Sequence, residues 1–243
     1  VSPDLRSWIK SLYRTLAKTG IKTIGPLVAN TPIFEKAGLW LTAYAPEYRL
    51  KVLPTQTFGI KDVDVLLQLQ SFKEQGADAV IAWGPRYWGP VLIRSSLNTD
   101  ITIAVPSSLL SERMLQQVPD NMRLLTVAPP VVMGDELRPD HPCASAVSRF
   151  LNSLGTEFNR FTIEELLAAG TAWDAIHLLK RAIALSDKKN RAEIRNSLEN
   201  LELPFYGVMG IFLPNKRDHN GLRPDSLIPL KRERGKWRYL LGP

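Results

Sequence analysis

Cysteine is nearly absent: Cys143 is the only one in 243 residues, and histidine occurs three times. An internal disulfide is therefore excluded, and cysteine usage leaves the redox compartment open. His141-Pro142-Cys143 has no second Cys/His pair nearby and makes a weak metal set. No apolar run reaches the roughly 20 residues that a membrane-spanning helix needs. There is no signal peptide, which a mature or trimmed chain would not carry in any case. Internal repeats, low-complexity tracts and glycine-rich phosphate loops are lacking too, and no residues form a nucleophile–base pair. Asp218-His219 has acid–base residue types, but Asn220-Gly221 beside it signals a turn. These absences argue against an enzyme and against a bound metal or cofactor.

What is present suits a globular α/β chain. Hydrophobic residues make up 44% and charged residues 23%, enough for a substantial core in one large domain or two modest ones. The formal net charge is +7 and the pI is near 9.6. Nucleic-acid binding would need clustered Lys/Arg with aromatics or a helix-turn-helix pattern. The densest basic cluster, Lys231 to Arg238, alternates around a hairpin turn at Gly235 and reads as an exposed two-stranded tip. The excess charge is read as a solvated basic surface.

Ser2-Pro3-Asp4 starts a helix in which Leu5, Trp8, Ile9, Leu12, Tyr13 and Leu16 recur at helical spacing, closed by Gly20. Residues 21–29 read as a strand, with Pro26 suggesting an edge or a bulge. A helix over 34–45 and a proline-interrupted strand over 50–58 follow. Next come a helix over 63–75, a buried strand over 77–83, a helix over 91–97 and a buried strand over 101–105. A helix over 108–117 and a strand over 123–128 complete the alternation. Strands and helices at these intervals imply a parallel sheet covered on both faces. After Pro129-Pro130 the pattern turns helical (143–154, 163–185 and 191–201), then ends in strands over 205–212 and a hairpin over 226–241. On the long helix, Asp174 and His177 lie three apart, a spacing that allows them to pair.

Five stretches carry a more specific likeness. They are Gly76-Ala-Asp-Ala-Val-Ile81, Gly170-Thr-Ala-Trp-Asp-Ala-Ile-His177, Phe205-Tyr-Gly-Val-Met-Gly-Ile-Phe212, and Asp218-His-Asn-Gly-Leu222 with Gly235-Lys-Trp237. In order and spacing they resemble the branched-chain-amino-acid-binding (LivK/LivJ-like) family of two-lobed bacterial solute receptors, over nearly the whole chain. The resemblance implies a type I periplasmic-binding-protein-like fold. It comprises a doubly wound parallel sheet forming a C-terminal lobe, and helices and strands of an incomplete second lobe. By this comparison residues 1–20 are a helix leading from a missing N-terminal lobe, and 21–149 are the C-terminal ligand-binding lobe. Residues 150–204 are helices of the incomplete N-terminal lobe, and 205–243 are crossover strands and the closing hairpin. Lys61-Asp-Val-Asp64 stands where the family has Thr-Asp-Phe, and Thr31-Pro-Ile-Phe34 replaces the usual Asp-Tyr-Gly, which puts amino-acid specificity in question.

In open α/β sheets ligands sit beyond the carboxyl ends of the strands. That rule selects Asn30, Thr31 and Phe34 after the first strand, Trp83, Gly84, Arg86, Tyr87 and Trp88 after the 77–83 strand, and Ser107 and Ser108 after the 101–105 strand. Arg86 suits a two-pronged bond to a carboxylate. Gly84 permits close backbone approach, and Trp83, Tyr87 and Trp88 can wall an apolar or aromatic ligand. Each has a plainer alternative: the tryptophans as core, Arg86 in a surface ion pair, Ser107, Ser108 or Thr31 as helix caps. Phe34 can equally staple its helix.

The resemblance implies the substrate-binding component of an ABC-type uptake transporter, binding a branched-chain or aromatic amino acid, or an aromatic acid, without catalysis. Its partners would be the small ligand, a transporter permease, and a separate chain or fragment supplying the missing N-terminal lobe; nucleic acid is not among them. Its place would be periplasmic or extracellular, with or without a lipid anchor in a full-length form. The rival readings are a ligand-sensing regulatory domain of the same fold and an α/β enzyme. The enzyme would require a glycine-rich turn where Ala29-Asn-Thr-Pro32 stands.

Overall fold

The computed structural model describes residues 1–241, apart from the side chain of Asn159. In chain order its elements are α1 (Leu5–Leu16), β1 (Thr23–Ala29), α2 (Pro32–Tyr44), β2 (Lys51–Val52), β3 (Gln56–Phe58), α3 (Leu66–Glu74), β4 (Ala79–Trp83), α4 (Gly89–Ser96), β5 (Thr102–Ala104), α5 (Glu112–Leu115), β6 (Leu124–Ala128), α6 (Ala144–Leu154), α7 (Ile163–Leu185), α8 (Arg191–Glu199), β7 (Phe205–Tyr206), β8 (Ile211–Phe212), β9 (Ile228–Glu233) and β10 (Lys236–Tyr239). They group into two compact units, one of Trp8–Ala128 with the residues from Ile228 on, the other of Val1–Ser7 with Pro129–Leu227.

The first unit is built on a mostly parallel sheet in the order β10-β9-β6-β5-β4-β1, with β2 and β3 both paired to the outer side of β1. β1, β4, β5 and β6 run parallel, whereas β9 and β10 are antiparallel. The chain leaves β1 toward β2, then returns across it to β4. Right-handed crossovers therefore set α2 on one face and α3, α4 and α5 on the other. From Trp8 on, α1 shares the α2 face: Tyr13 Oη donates to Leu41 O at 2.8 Å. Trp8, Ile9, Leu12, Tyr13 and Leu16, the periodic residues of its sequence, are all buried. Each such large apolar side chain contributes on the order of 1.5–3 kcal/mol by leaving water.

Pro26 marks neither an edge nor a bulge of the kind its sequence suggested; β1 lies inside the sheet. Backbone bonding explains how the proline is tolerated. Residues 22 and 24 accept from Lys51 and Leu53, and residue 30 donates to Phe58. By the alternation of a parallel ladder, Pro26 faces the same side. Its missing N–H thus falls at the gap between β2 and β3, where Pro54 breaks the neighbouring strand. Gly25 is equally constrained: a Cβ there would sit 2.3 Å from the Phe72 ring of α3. The residues around Gly235 form the exposed two-stranded tip read from sequence: β9 and β10 pair antiparallel, and residues 233–236 are exposed. β9 is flanked by β6 and β10, and only β10 forms the sheet's edge.

The second unit is mainly helical. α7 spans the 23 residues that its apolar pattern predicts. Its start is set by a capping box: Thr162 Oγ1 accepts from Glu165 N at 3.3 Å, and Glu165 Oε2 accepts from Thr162 N at 2.8 Å. The strands expected over 205–212 are β7 and β8, which pair antiparallel as a hairpin. Gly210, at φ 143°, turns the chain, and Gly207 N donates to Gly210 O at 2.9 Å. Asp174 does not pair with His177. Its two carboxylate oxygens accept the N–H groups of Val208 and Met209, while His177 Nδ1 lies 2.9 Å from Trp173 O.

Candidate functional site

The reversal of strand order falls between β1 and β4, which makes their carboxyl ends the topological switch point of the sheet. Both exits carry proline. After β1, Thr31 is extended (φ −147°, ψ 149°) and Pro32 opens α2. Thr31 holds the N-cap position, but its hydroxyl makes no capping bond. Thr31 Oγ1 is buried and has no hydrogen-bond partner among the described residues. After β4, Pro85 stays extended (ψ 144°) and a 3-10 turn over Arg86–Trp88 leads into α4. After β5, Pro106 does the same (ψ 150°) ahead of a 3-10 turn over Ser107–Leu109.

These turns separate the residues by exposure. A 3-10 turn has three residues per turn, so Arg86, Tyr87 and Trp88 point in three directions. Tyr87 is 64% exposed, whereas Trp88 is 1% exposed and stacks on Phe58, centroids 3.5 Å apart at 11°. Trp88 Nε1, like Thr31 Oγ1, is buried without a hydrogen-bond partner among the described residues. Gly84 makes room for this stack, since a Cβ there would come within 2.7 Å of Phe58 Cζ. Arg86 is exposed, and its Nε donates to Ser108 O at 3.1 Å. That bond fixes the guanidinium while its outer nitrogens remain able to grip an anion. Trp83 is half-buried and meets Trp8 edge-on at 4.9 Å and 78°.

Asn30 is exposed just past β1, and its N–H donates to Phe58 O at 2.8 Å. Phe34 is half-buried in the first turn of α2, and Ser107 is buried while Ser108 is exposed. Neither serine caps α5; that role falls to Ser111, whose hydroxyl accepts from Met114 N at 3.2 Å. Strand-end reasoning missed Phe58 and Trp8. Phe58 closes β3 and was open to the same rule, whereas nothing local ties Trp8 of α1 to Trp83.

No three His, Cys, Asp or Glu residues among those described gather as a metal site, and no helix among them is long and apolar enough to cross a membrane. Cys143 is buried, and burial pushes its thiol up to about 12, which keeps it protonated and unreactive. A cavity of about 650 Å3 opens at the opposite, amino end of the parallel strands, with Asp78, Asp100, Arg123, Lys231 and Glu233 in its wall. Several of its charges are engaged: Arg123 with Asp100 at 3.5 Å, Lys231 with Glu233 at 3.3 Å, and Asp78 with the N–H groups of Lys22 and Thr23 at 2.8 Å, whereas the buried Arg232 Nε in the same wall has no hydrogen-bond partner among the described residues. Those two N–H bonds also hold the Asp78 carboxyl below its ordinary range. The strand ends at the switch point, where Arg86 and Tyr87 are exposed and Trp83 is half-buried, are the binding candidate that the strand-end rule selects.

Solved structures share this arrangement. An extracellular ligand-binding receptor from Rhodopseudomonas palustris HaA2 superposes with a TM-score of 0.77 at 18% identity, over 98% of this chain and 68% of that one. A periplasmic binding protein type 1 from Bordetella pertussis Tohama I gives 0.70 at 16% identity, over 96% and 65%. The chain has the type I periplasmic-binding-protein fold. A solute binding protein of an ABC transporter from Rhodopseudomonas palustris BisB5, in complex with 3,4-dihydroxy benzoic acid, shares the type I fold with a TM-score of 0.67 at 14% identity, over 98% and 64%. No family model matches the sequence, and no curated protein does.

Proposed function

We propose that this chain is the ligand-binding part of a receptor for a small carboxylate, and that it performs no chemistry on it. The observation that carries this reading is the exposed Arg86, anchored on Ser108 O at the switch point, in the same strand-end segment as the exposed Tyr87 and the half-buried Trp83. A cation fixed beside flat apolar walls suits an anion with an aromatic or branched apolar body. Aromatic acids come first, since the same strand-end segment offers the Tyr87 and Trp83 rings. Branched-chain and aromatic amino acids, implied by the sequence resemblance, come next. The fold and the resemblance together favour an ABC-type uptake system in the periplasm or outside the cell, with a permease as partner. The LivK/LivJ-like branch is the narrower form of this reading.

Thermal unfolding of the chain with a panel of benzoates, leucine, valine and phenylalanine tests it. A ligand held at about 100 times its Kd adds about 2.7 kcal/mol of stability, so at least one acid in the panel raises Tm by several degrees. Unchanged unfolding across the whole panel contradicts the proposed ligand class.

A further inference from the structure

The cavity at the amino end of the parallel strands lies at the other end of the sheet from Arg86. Its wall comes from the first unit alone: the loops leading into β1, β4, β5 and β6, the end of α3, the end of β9 and the residue after β10. Its volume of about 650 Å3 falls within the ~300–1,000 Å3 usual for small-molecule sites. Ile101, Met122 and Leu125 give it a buried apolar lining. One side is formed by the basic hairpin that the sequence singles out, through Lys231 and Arg232.

One cation of this wall is left over. Arg123 meets Asp100, Lys231 meets Glu233, and Lys73 Nζ donates to Thr99 O at 2.8 Å. Arg232 sits across the ladder from the buried Trp237, its guanidinium carbon 5.4 Å from that ring, and its Nε is buried with no hydrogen-bond partner among the described residues. Glu112 of α5 acts on it through its charge, against a burial that lowers the guanidinium's pKa. Of the acids in the wall, Asp100 and Glu233 face their own cations and Asp78 accepts two backbone N–H bonds, which leaves the exposed Asp120. Arg234 and Lys236, exposed at the turn of the hairpin, add positive charge beside it.

We infer that this cavity is a second ligand site, for a small organic oxyanion, a carboxylate or a phosphate monoester, whose charged end bonds Arg232 and whose apolar body lies along Ile101, Met122 and Leu125. A guanidinium and an oxyanion match as a two-pronged donor and acceptor. A donor that has already lost its water and found no acceptor gains more from such a bond than a solvated one does. The site stands apart from the reading of Arg86.

Titration of the chain with phenyl phosphate, benzoate and inorganic phosphate, followed by calorimetry and by the NMR signals of the arginine Nε–H groups, tests the site. Phenyl phosphate or benzoate is expected to bind saturably and to shift the Arg232 signal, and the stronger of the two names the head group. Arg232→Met keeps an apolar stem over Trp237 and is expected to weaken that binding by about tenfold or more, with circular dichroism unchanged. The signal shift is read on the wild type and needs no variant to fold. Binding that moves the Arg86 signal alone, affinity unchanged in Arg232→Met, or no binding of either acid overturns the inference. Inorganic phosphate binding as tightly as phenyl phosphate overturns it too, since the apolar lining would then play no part. So does a longer polypeptide containing this chain in which the Arg232 signal answers neither acid, because the cavity would then be filled by chain outside these residues. An Arg86 signal that never moves counts against the first site and leaves this one standing.

Discussion

The Asp174 carboxylate holds the Met209 amide at 2.7 Å, and with its other oxygen it holds the Val208 amide at 2.8 Å. One acidic side chain of α7 thus fastens the turn between β7 and β8. Gly207 lies so close to it that any Cβ would overlap the carboxylate. Removing the acid strands two buried N–H groups, each worth about 1–3 kcal/mol. Asp174→Ala is expected to lower stability in urea by about 2–5 kcal/mol, and Gly207→Ala to be damaging for steric reasons.

The same carboxyl has a pH signature. Burial pushes its pKa up to about 6, against the two amide bonds that pull it down. A raised acid pKa means that the folded state binds the proton more tightly than the unfolded chain does. The stabilisation from protonation is therefore complete below the unfolded value near 4 and lost as pH rises through 6. A shift of about two units corresponds to about 3 kcal/mol. Urea midpoints between pH 4 and pH 7 are expected to fall in the wild type by more than in Asp174→Asn. Parallel slopes in the two proteins contradict this assignment.

Past the end of β4, the Phe58–Trp88 stack depends on Gly84. Gly84→Ala inserts a methyl group where Phe58 Cζ stands and is expected to cost about 1–3 kcal/mol. Near-UV circular dichroism reports the loss of the stack directly. An unchanged aromatic spectrum would show that the stack relaxes without cost.

The start of α7 rests on its capping box. Thr162→Ala is expected to destabilise the chain by about 1 kcal/mol, and Thr162→Ser to recover most of that. Hydrogen exchange at residues 163–166 is expected to quicken in the alanine variant alone.

Much of the fold was legible locally. The Ala77–Trp83 apolar run became β4, and the 163–185 pattern became α7 to the residue, because the capping threonine and the apolar repeat are both short-range signals. Long-range pairing was not legible. Nothing near Pro26 announces that the gap at Pro54 will lie beside it, and nothing near Gly235 announces that β9 will pair with β6. The strand-end rule drew attention to Trp83–Trp88, but it does not distinguish the outward Tyr87 from the inward Trp88. That distinction comes from the 3-10 turn, which depends on Pro85 and on the packing of Phe58. The bare Thr31 hydroxyl likewise looked like an ordinary cap; only the folded backbone shows that it makes no capping bond.

The central claim, a small carboxylate gripped at the switch point, is tested most directly by isothermal titration with the acid of largest thermal shift, run on the wild type and on Arg86→Met. The account predicts saturable binding at one site in the wild type. It predicts a loss of at least tenfold in affinity for the variant, about 1.4 kcal/mol or more, with its circular dichroism spectrum retained. Equal affinity in the two proteins would contradict it.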